Sequence, residues 1–280
     1  MKREEIKELV DRGIRELNEA LAAGKSDRLQ QYLDVMARFP RYSFNNCLLI
    51  ALQFPSASLI QGFHAWRKMG RTVKKGEKGI GIIAPMVGKR KDENGHSDEG
   101  GEKAIFGFKV VHVFDVSQTE GDDLPEFAQV TGDPGENILA VESLIRSWGI
   151  ELVYEEIPCG ADGLSKKGTI VIDPDLDAAK RLLTLVHEAS HERLHADSER
   201  RKETTKTIRE TEAEAVAHVV CRALGLDTLE HCAEYIQLYN GDAEVFAKSM
   251  DYIQKTAAQI LEGIKAYASS ASVESEELAA

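Results

Sequence analysis

Cysteine is scarce in this chain, and Cys47, Cys159, Cys221 and Cys232 stand far apart. Without C-x-x-C spacing, neither a zinc ribbon nor a disulfide scaffold is indicated. No run approaches the ~20 apolar residues that span a bilayer, so no membrane partner is expected. The opening Met1-Lys-Arg-Glu-Glu leads directly into an amphipathic helix and lacks the apolar core of a secretory signal. Together these absences point to a reducing cytoplasm. Positive charge is also in deficit, with 35 basic residues against 47 acidic and a net charge of −12. That balance argues against indiscriminate binding to nucleic acid. The distribution is uneven, however. Between Arg67 and Lys91 nine cations face the single anion Glu77, so this window carries +8 and the rest of the chain −20. The two parts are suited to different partners.

What is present suffices for about two domains: 280 residues, 42% of them apolar. Ile6, Leu9, Val10, Ile14, Leu17 and Leu21 recur at helical spacing and predict one amphipathic helix over residues 2–22. Leu29, Tyr32, Leu33 and Met36 predict a second helix stopped near Pro40, residues 41–50 a third, and residues 63–69 a short fourth closed by Gly70. The character then changes. Residues 73–79 form a glycine-punctuated basic turn, 80–87 a β-prone run, 88–102 a charged loop, and 104–115 the strongest strand signal in the chain. The first module is therefore α+β and extends over residues 1–122. A Gly-, Asp- and Pro-rich linker follows at 123–136. Beyond it, residues 137–148 read as helix, 150–157 and 168–173 as strands around the turn 160–163, 177–196 as helix, 197–206 as a charged loop, and 206–268 as helix throughout. This second domain, residues 137–268, is mostly helical with a small sheet, and residues 269–280 read as a disordered acidic tail.

Within residues 177–196, His187-Glu-Ala-Ser-His191 spells H-E-x-x-H. Four residues apart on a helix, His187 and His191 project from one face and can grip one metal ion together. Glu188 sits one step round, where a carboxylate can take a proton from a water that the metal acidifies. Two histidines rarely hold catalytic zinc alone. The stretch Arg209-Glu-Thr-Glu-Ala-Glu-Ala-Val-Ala-His218 offers Glu210, Glu212 and Glu214. Ala213, Ala217, Val220, Cys221 and Leu224 define its apolar face, and at ~100° per residue Glu210 lies nearest the centre of that face. Glu210 is thus the expected third ligand, with Glu212, which points away, as the alternative. Glu214 is placed to accept a hydrogen bond from the non-ligating nitrogen of a ligand histidine. His195 continues the four-residue spacing, but its phase has drifted ~80° from His187. It is read as structural, with ligation as its alternative. Glu192 and His218 are expected at the cleft rim or in solvent, where His218 could also stabilise an oxyanion.

H-E-x-x-H followed by Glu210-Thr-Glu-Ala-Glu-Ala-Val-Ala217 resembles the gluzincin-type metallopeptidases of the ImmA/IrrE group, with Glu214 where that group often has Asn or Asp and Val216 where it often has Phe. The first half resembles the N-terminal domain of ArdC-type antirestriction proteins through Tyr42-Ser-Phe-Asn-Asn46, Phe63-His-Ala-Trp66, Gly70-Arg-Thr-Val-Lys-Lys-Gly-Glu-Lys-Gly79 and Val113-Phe-Asp-Val-Ser-Gln-Thr119. Those proteins join a single-stranded-DNA-binding domain to a zincin-like domain in the same order. The resemblance implies single-stranded DNA as a partner, one Zn2+ per chain, and a role in antirestriction or in regulation on a mobile element.

The residues fit that implication. Lys74, Lys75 and Lys78 can track phosphates, while Trp66, Phe63 or Tyr42 stack on unpaired bases and Asn45 and Asn46 hydrogen-bond to backbone or base. Core packing is the competing reading for the aromatics. The expected activity is zinc-dependent hydrolysis of a protein or peptide substrate, with Glu188 as general base and the strand at 169–172 aligning the peptide by accepting it as an extra strand. The alternative is a non-catalytic DNA-binding protein in which zinc is structural, and a nuclease is a weaker third reading. Glu188 favours catalysis, because a purely structural site has no use for a carboxylate beside an open position.

Overall fold

The computed structural model describes residues 3–22, 27–89, 103–122, 134–157, 160–226 and 243–278. Three helices come first, α1 (Arg3–Ala22), α2 (Asp27–Arg38) and α3 (Phe44–Gln53), followed by strand β1 (Ile60–Gly62), helix α4 (Phe63–Lys68) and strands β2 (Arg71–Val73), β3 (Ile80–Lys89) and β4 (Lys103–Asp115). A 3-10 turn at Val116–Gln118 leads into β5 (Thr119–Gly121). The remainder is α5 (Pro134–Ser147), β6 (Glu151–Tyr154), β7 (Gly163–Lys166), β8 (Thr169–Ile172), α6 (Ala178–His195), α7 (Ser198–Glu203), α8 (Lys206–Ala223) and α9 (Ala243–Leu278). The fold is α+β, as the sequence predicts. No described helix is long and apolar enough to cross a membrane.

The chain divides into two compact units, one of Met1–Gly13 with Asn45–Pro125 and the other of Ile14–Phe44 with Glu126–Ala280. Residues 14–44, expected in the N-terminal module, thus belong to the second unit. The reason is packing: Leu29, Leu33 and Met36 of α2 are buried, and α2 lies against α8. Asp34 accepts from Arg222 Nε at 3.2 Å, and the side-chain amide of Gln254 donates from Nε2 to the carbonyl of Pro40 at 2.8 Å.

The first unit is built on the antiparallel sheet β1-β4-β3, with β2 and β5 paired separately. Asp115 ends β4 and ties the unit together. Its carboxylate is buried, which raises its pKa, but it accepts from the backbone N–H groups of Ser58, Leu59 and Ser117, and these hydrogen bonds win and hold the pKa below the usual range. Gln118 accepts from the N–H of Asp115 and donates to Glu77 and to the carbonyl of Lys78. With Lys74 N–H donating to the carbonyl of Gln118 at 2.9 Å, the basic turn is pinned at both ends.

Two expectations are corrected in this unit. Trp66 is fully buried at 0% exposure and donates from Nε1 to the carbonyl of Phe114 at 2.9 Å, so its ring belongs to the core and offers no face to a base. Asn46 is also buried. Its amide donates to the carbonyl of Ile83 at 2.8 Å and accepts from the N–H of Ile83 at 2.9 Å, a two-way clamp on β3 that leaves nothing for DNA.

In the second unit the sheet order is β6-β8-β7, with β6 parallel and β7 antiparallel to β8. Strand β8, expected to accept a peptide, is therefore central and paired on both sides; the edges are β6 and β7, and the sequence reads the start of β7 only as the end of a turn. The charged loop expected at 197–206 contains α7, whose start Asp197 caps by accepting from the N–H of Glu199 at 2.7 Å. Helix α9 continues to Leu278, through most of the tail expected to be structureless, and Ala268, Ala271 and the glutamates after Val273 are residues a helix accommodates well. Of the expected linker, residues 123–133 lie outside the described residues, and Pro134 opens α5 at the position where a missing N–H costs nothing.

Replacing Asn46 with Ala removes both bonds to Ile83 and leaves two part-buried backbone groups without that partner. The expected loss is about 1–3 kcal/mol of stability, read by denaturant unfolding. Affinity for single-stranded DNA at saturating folded protein is expected to stay the same, whereas a DNA contact at Asn46 would reverse that pattern.

Candidate metal centre and cleft

Helix α6 starts at Asp177, whose carboxylate accepts from the N–H of Lys180 at 2.9 Å. It buries Leu182, Leu185, Val186 and Ala189, which turns His187, Glu188 and His191 toward a cleft. Helix α8 starts at Thr205, capped by a bond from the N–H of Ile208 to its hydroxyl at 3.2 Å. It packs against α6 and buries the small Ala213 and Ala217 beside its acidic positions.

That packing brings His187, His191 and Glu210 together, with one ligand atom from each inside a 4.8 Å cluster. His187 Nε2 and His191 Nε2 are 3.1 Å apart, and Glu210 Oε2 lies 3.3 Å from His191 Nε2 and 3.7 Å from His187 Nε2. Glu214 Oε2 lies 3.1 Å from His187 Nδ1. In the tautomer in which Nδ1–H donates to Glu214, Nε2 turns its lone pair toward His191 and Glu210. Two imidazole lone pairs and a carboxylate oxygen then converge on one point, an arrangement satisfied only by a cation or a proton. Burial opposes charging His187, but its hydrogen bonds with Glu210 and Glu214 win and lift it to about 9. Hydrogen bonds with His187 and then His191 hold Glu210 far below the ordinary carboxylate range. The donor set of two histidines and a glutamate fits a divalent ion of the zinc class and leaves room for one further ligand. Glu210 is half exposed at the mouth of the cleft, whereas the periodicity puts it at the centre of a buried face; the cleft opens there.

Glu188 is 7% exposed, and burial raises its pKa, with the charge of Glu210 adding to the effect against the histidines. The backbone of Ser165 on β7 lies beside its carboxylate and opposes that rise. Gly163 on the same strand lies so close that a Cβ there would sit 2.5 Å from Thr184 Cγ2 and 2.9 Å from Glu188 Cγ. The cleft, about 640 Å³, is bounded by α6, by β7 with the turn after it, and by α7 and the start of α8.

The other acidic and histidine positions differ from expectation. Glu192 is buried rather than at the rim. It accepts from Ser165 Oγ at 2.5 Å and from the N–H of Gly168 at 2.9 Å, fastening the β7–β8 hairpin to α6. His218 is buried, with Nε2 3.7 Å from Asp34 Oδ1, and it does not line the cleft. Glu212 does point away from the histidine pair, yet it is fully buried. It accepts from Arg200 and from Ser249 Oγ, each at 2.5 Å, and its second oxygen is 3.5 Å from His195 Nε2. His195 stands apart from the ligand cluster, and burial first, with the nearby His191 and Arg200, lowers its pKa to about 3. Arg200 also lies over the ring of Tyr252, 3.8 Å from its centroid.

Of the residues proposed to meet DNA, Lys74, Lys75, Lys78 and Asn45 are exposed in the first unit, and Tyr42 is half-buried in the second, edge-on to Phe39. The sequence reading passed over Phe106 and Phe108 on β4, exposed by 59% and 49%; Phe63 is exposed by 41%. Their alternation along a strand was the available signal, since i and i+2 share a sheet face.

Substituting Gly163 with Ala is expected to drive a methyl group into Thr184 and Glu188, costing about 1–3 kcal/mol as overpacked sites do. Thermal unfolding of this variant beside Gly160→Ala, where a Cβ meets nothing but φ is +69°, separates the clash from simple loss of glycine: comparable losses at both positions would remove the clash as the cause.

Residues 3–114 match the family described as the N-terminal domain of anti-restriction factor ArdC. Among curated proteins, an uncharacterised protein of Bacillus anthracis is 26% identical over 311 aligned positions, which cover 94% of this chain and 51% of that protein. The chain thus spans about half the length of the curated relative it matches. Among solved structures, the metal-free crystal structure of the antirestriction ArdC protein from the R388 plasmid aligns with a TM-score of 0.52 and 21% identity, covering 81% of this chain and 85% of that one. The Mn(II)-bound crystal structure of the same protein gives a TM-score of 0.49 and 19% identity over 80% and 84%. The chain therefore has an ArdC-like α+β fold, and its first 114 residues contain the stretch that matches the ArdC N-terminal domain.

Proposed function

We propose that this protein is a metal-dependent peptidase joined to a single-stranded-DNA-binding module, acting in antirestriction or in regulation on a mobile element in the cytoplasm. The observation that carries the hydrolytic reading is the convergence of His187, His191 and Glu210 with Glu188 beside them on an open cleft. His187, His191 and Glu210 would hold one zinc ion per chain, and the ion would supply a Lewis acid that makes a water more acidic and polarises a scissile carbonyl. Glu188 accepts a proton at its carboxylate and returns it to the leaving amine. Glu214 fixes the ring of His187. Strand β7, at the sheet edge and along the cleft, is the element able to align an extended peptide, the task the sequence assigns to β8. The motif and the acidic helix after it support placing this half with the ImmA/IrrE-like zincins.

The DNA-binding reading rests on the pinned basic turn and on the matched N-terminal family. Lys75 and Lys78 are exposed and can meet phosphates, while Lys74 Nζ also donates to the carbonyl of Ser117 at 2.9 Å. Phe63, Phe106 and Phe108 replace Trp66 as the aromatic surfaces.

Metal content by mass spectrometry should give about one zinc per chain in the wild type. It is expected to fall with His191→Ala and Glu210→Ala and to persist in Glu212→Gln, which keeps the size of a fully buried side chain. A wild-type preparation without metal would overturn the centre. Glu188→Gln is expected to lower peptide hydrolysis by about 10²–10⁴-fold with zinc and DNA affinity retained. If the variant also retains the full biological effect in cells, the protein acts as a non-catalytic DNA binder with structural zinc.

A further inference from the structure

The cleft has a charge opposite to that of the chain. Lys167, Arg201, Lys206 and Arg209 line it, and among the described residues none of them forms an ion pair. The acidic groups lining it are already engaged. Glu210 faces the two histidines, Glu188 is buried beside them, and Glu192 is buried against Ser165 and Gly168. The cations stand on opposite walls, Lys167 on the turn between β7 and β8 and the others on α7 and the first turn of α8. Arg209 is also held in place, donating from Nη1 to the carbonyl of Thr204 at 2.6 Å. In a chain of net charge −12, this concentration of unpaired cations around one concavity creates a field that attracts negative ligands.

We infer that the cleft selects acidic peptides, taking Asp or Glu side chains on either side of the bond nearest the metal centre. This rests on the peptidase reading and specifies its substrate class. A phosphodiester would satisfy the same cations. The peptide is favoured because β7, an edge strand with the exposed Leu164 in the cleft, supplies a backbone ladder and an apolar contact that an extended peptide uses and a phosphate chain does not.

The test separates binding from turnover. Fluorescence anisotropy on full-length Glu188→Gln protein, with and without added zinc, compares three probes. They are a fluorescein-labelled peptide carrying Glu on both sides of a central Leu-Ala bond, the same peptide with Gln in those places, and a labelled thymidine oligonucleotide of similar length. The Glu peptide is expected to bind at least about tenfold more tightly than the Gln peptide, with the advantage shrinking between about 50 mM and 500 mM NaCl. The double change Arg201→Glu with Lys206→Glu is expected to abolish or invert that preference; circular dichroism and the wild-type melting profile certify the fold, and the single change Lys167→Glu is the second probe if the pair does not fold. Equal binding of the two peptides overturns the inference. So does an oligonucleotide that binds the wild type but loses affinity in the charge-reversed proteins while the peptides are unaffected, an outcome that assigns the cleft to nucleic acid. Selective binding of the Glu peptide with no cleavage by zinc-loaded wild-type protein sustains the acidic selectivity and removes the peptidase reading alone.

Discussion

The contact between Glu214 and His187 depends on how closely α6 and α8 approach. At 3.1 Å it orients the imidazole, and the same approach sets Glu210 against both ligand nitrogens. Small residues permit it. Ala213 and Ala217, each one turn from the acidic positions, are fully buried, and a larger side chain there would push the helices apart by more than the tolerance of a metal ligand set. The motif on α6 supplies the histidines, but the spacing of alanines on α8 decides whether they have a third partner.

A second polar cluster lies behind this one and carries a structural cost. Glu212 is fully buried with Arg200, Ser249 and His195, and a buried ion pair repays its desolvation only when its geometry is good. Here the pair spans α7 and α8, Ser249 adds α9, and the guanidinium also rests on Tyr252. The cluster therefore fixes α7, the element that brings Arg201 to the cleft. Removing one partner would leave a charge in the interior, a loss of about 3–5 kcal/mol in comparable pairs.

Local geometry was legible in the sequence and tertiary choice was not. The shared face of His187 and His191 follows from helix periodicity alone, and so does the phase that turns Glu210 and Glu214 one way and Glu212 another. Periodicity cannot tell that Glu212 goes inward, because Arg200 and Ser249 meet it only after folding. Trp66 and Asn46 were misread for the same reason: the carbonyl of Phe114 and the backbone of Ile83 are distant in sequence, and a side chain suited to a base or a phosphate serves a buried carbonyl equally well. Strand β7, Gly-Leu-Ser-Lys, is too short and polar to register as a strand without β8 beside it, and α7 is a single capped stretch too brief for a periodic signal. The assignment of residues 14–44 to the second unit follows from the burial of α2 against α8, a pairing across a long stretch of chain.

Ser165 gives its hydroxyl to Glu192 and sets its backbone beside Glu188, two residues along an edge strand from the Gly163 that abuts Glu188. On the proposed reading, a ligand that lengthens the sheet at β7 lies along the same residue that borders Glu188. The edge that would dock a chain and the carboxylate that would take a proton then share one short piece of backbone.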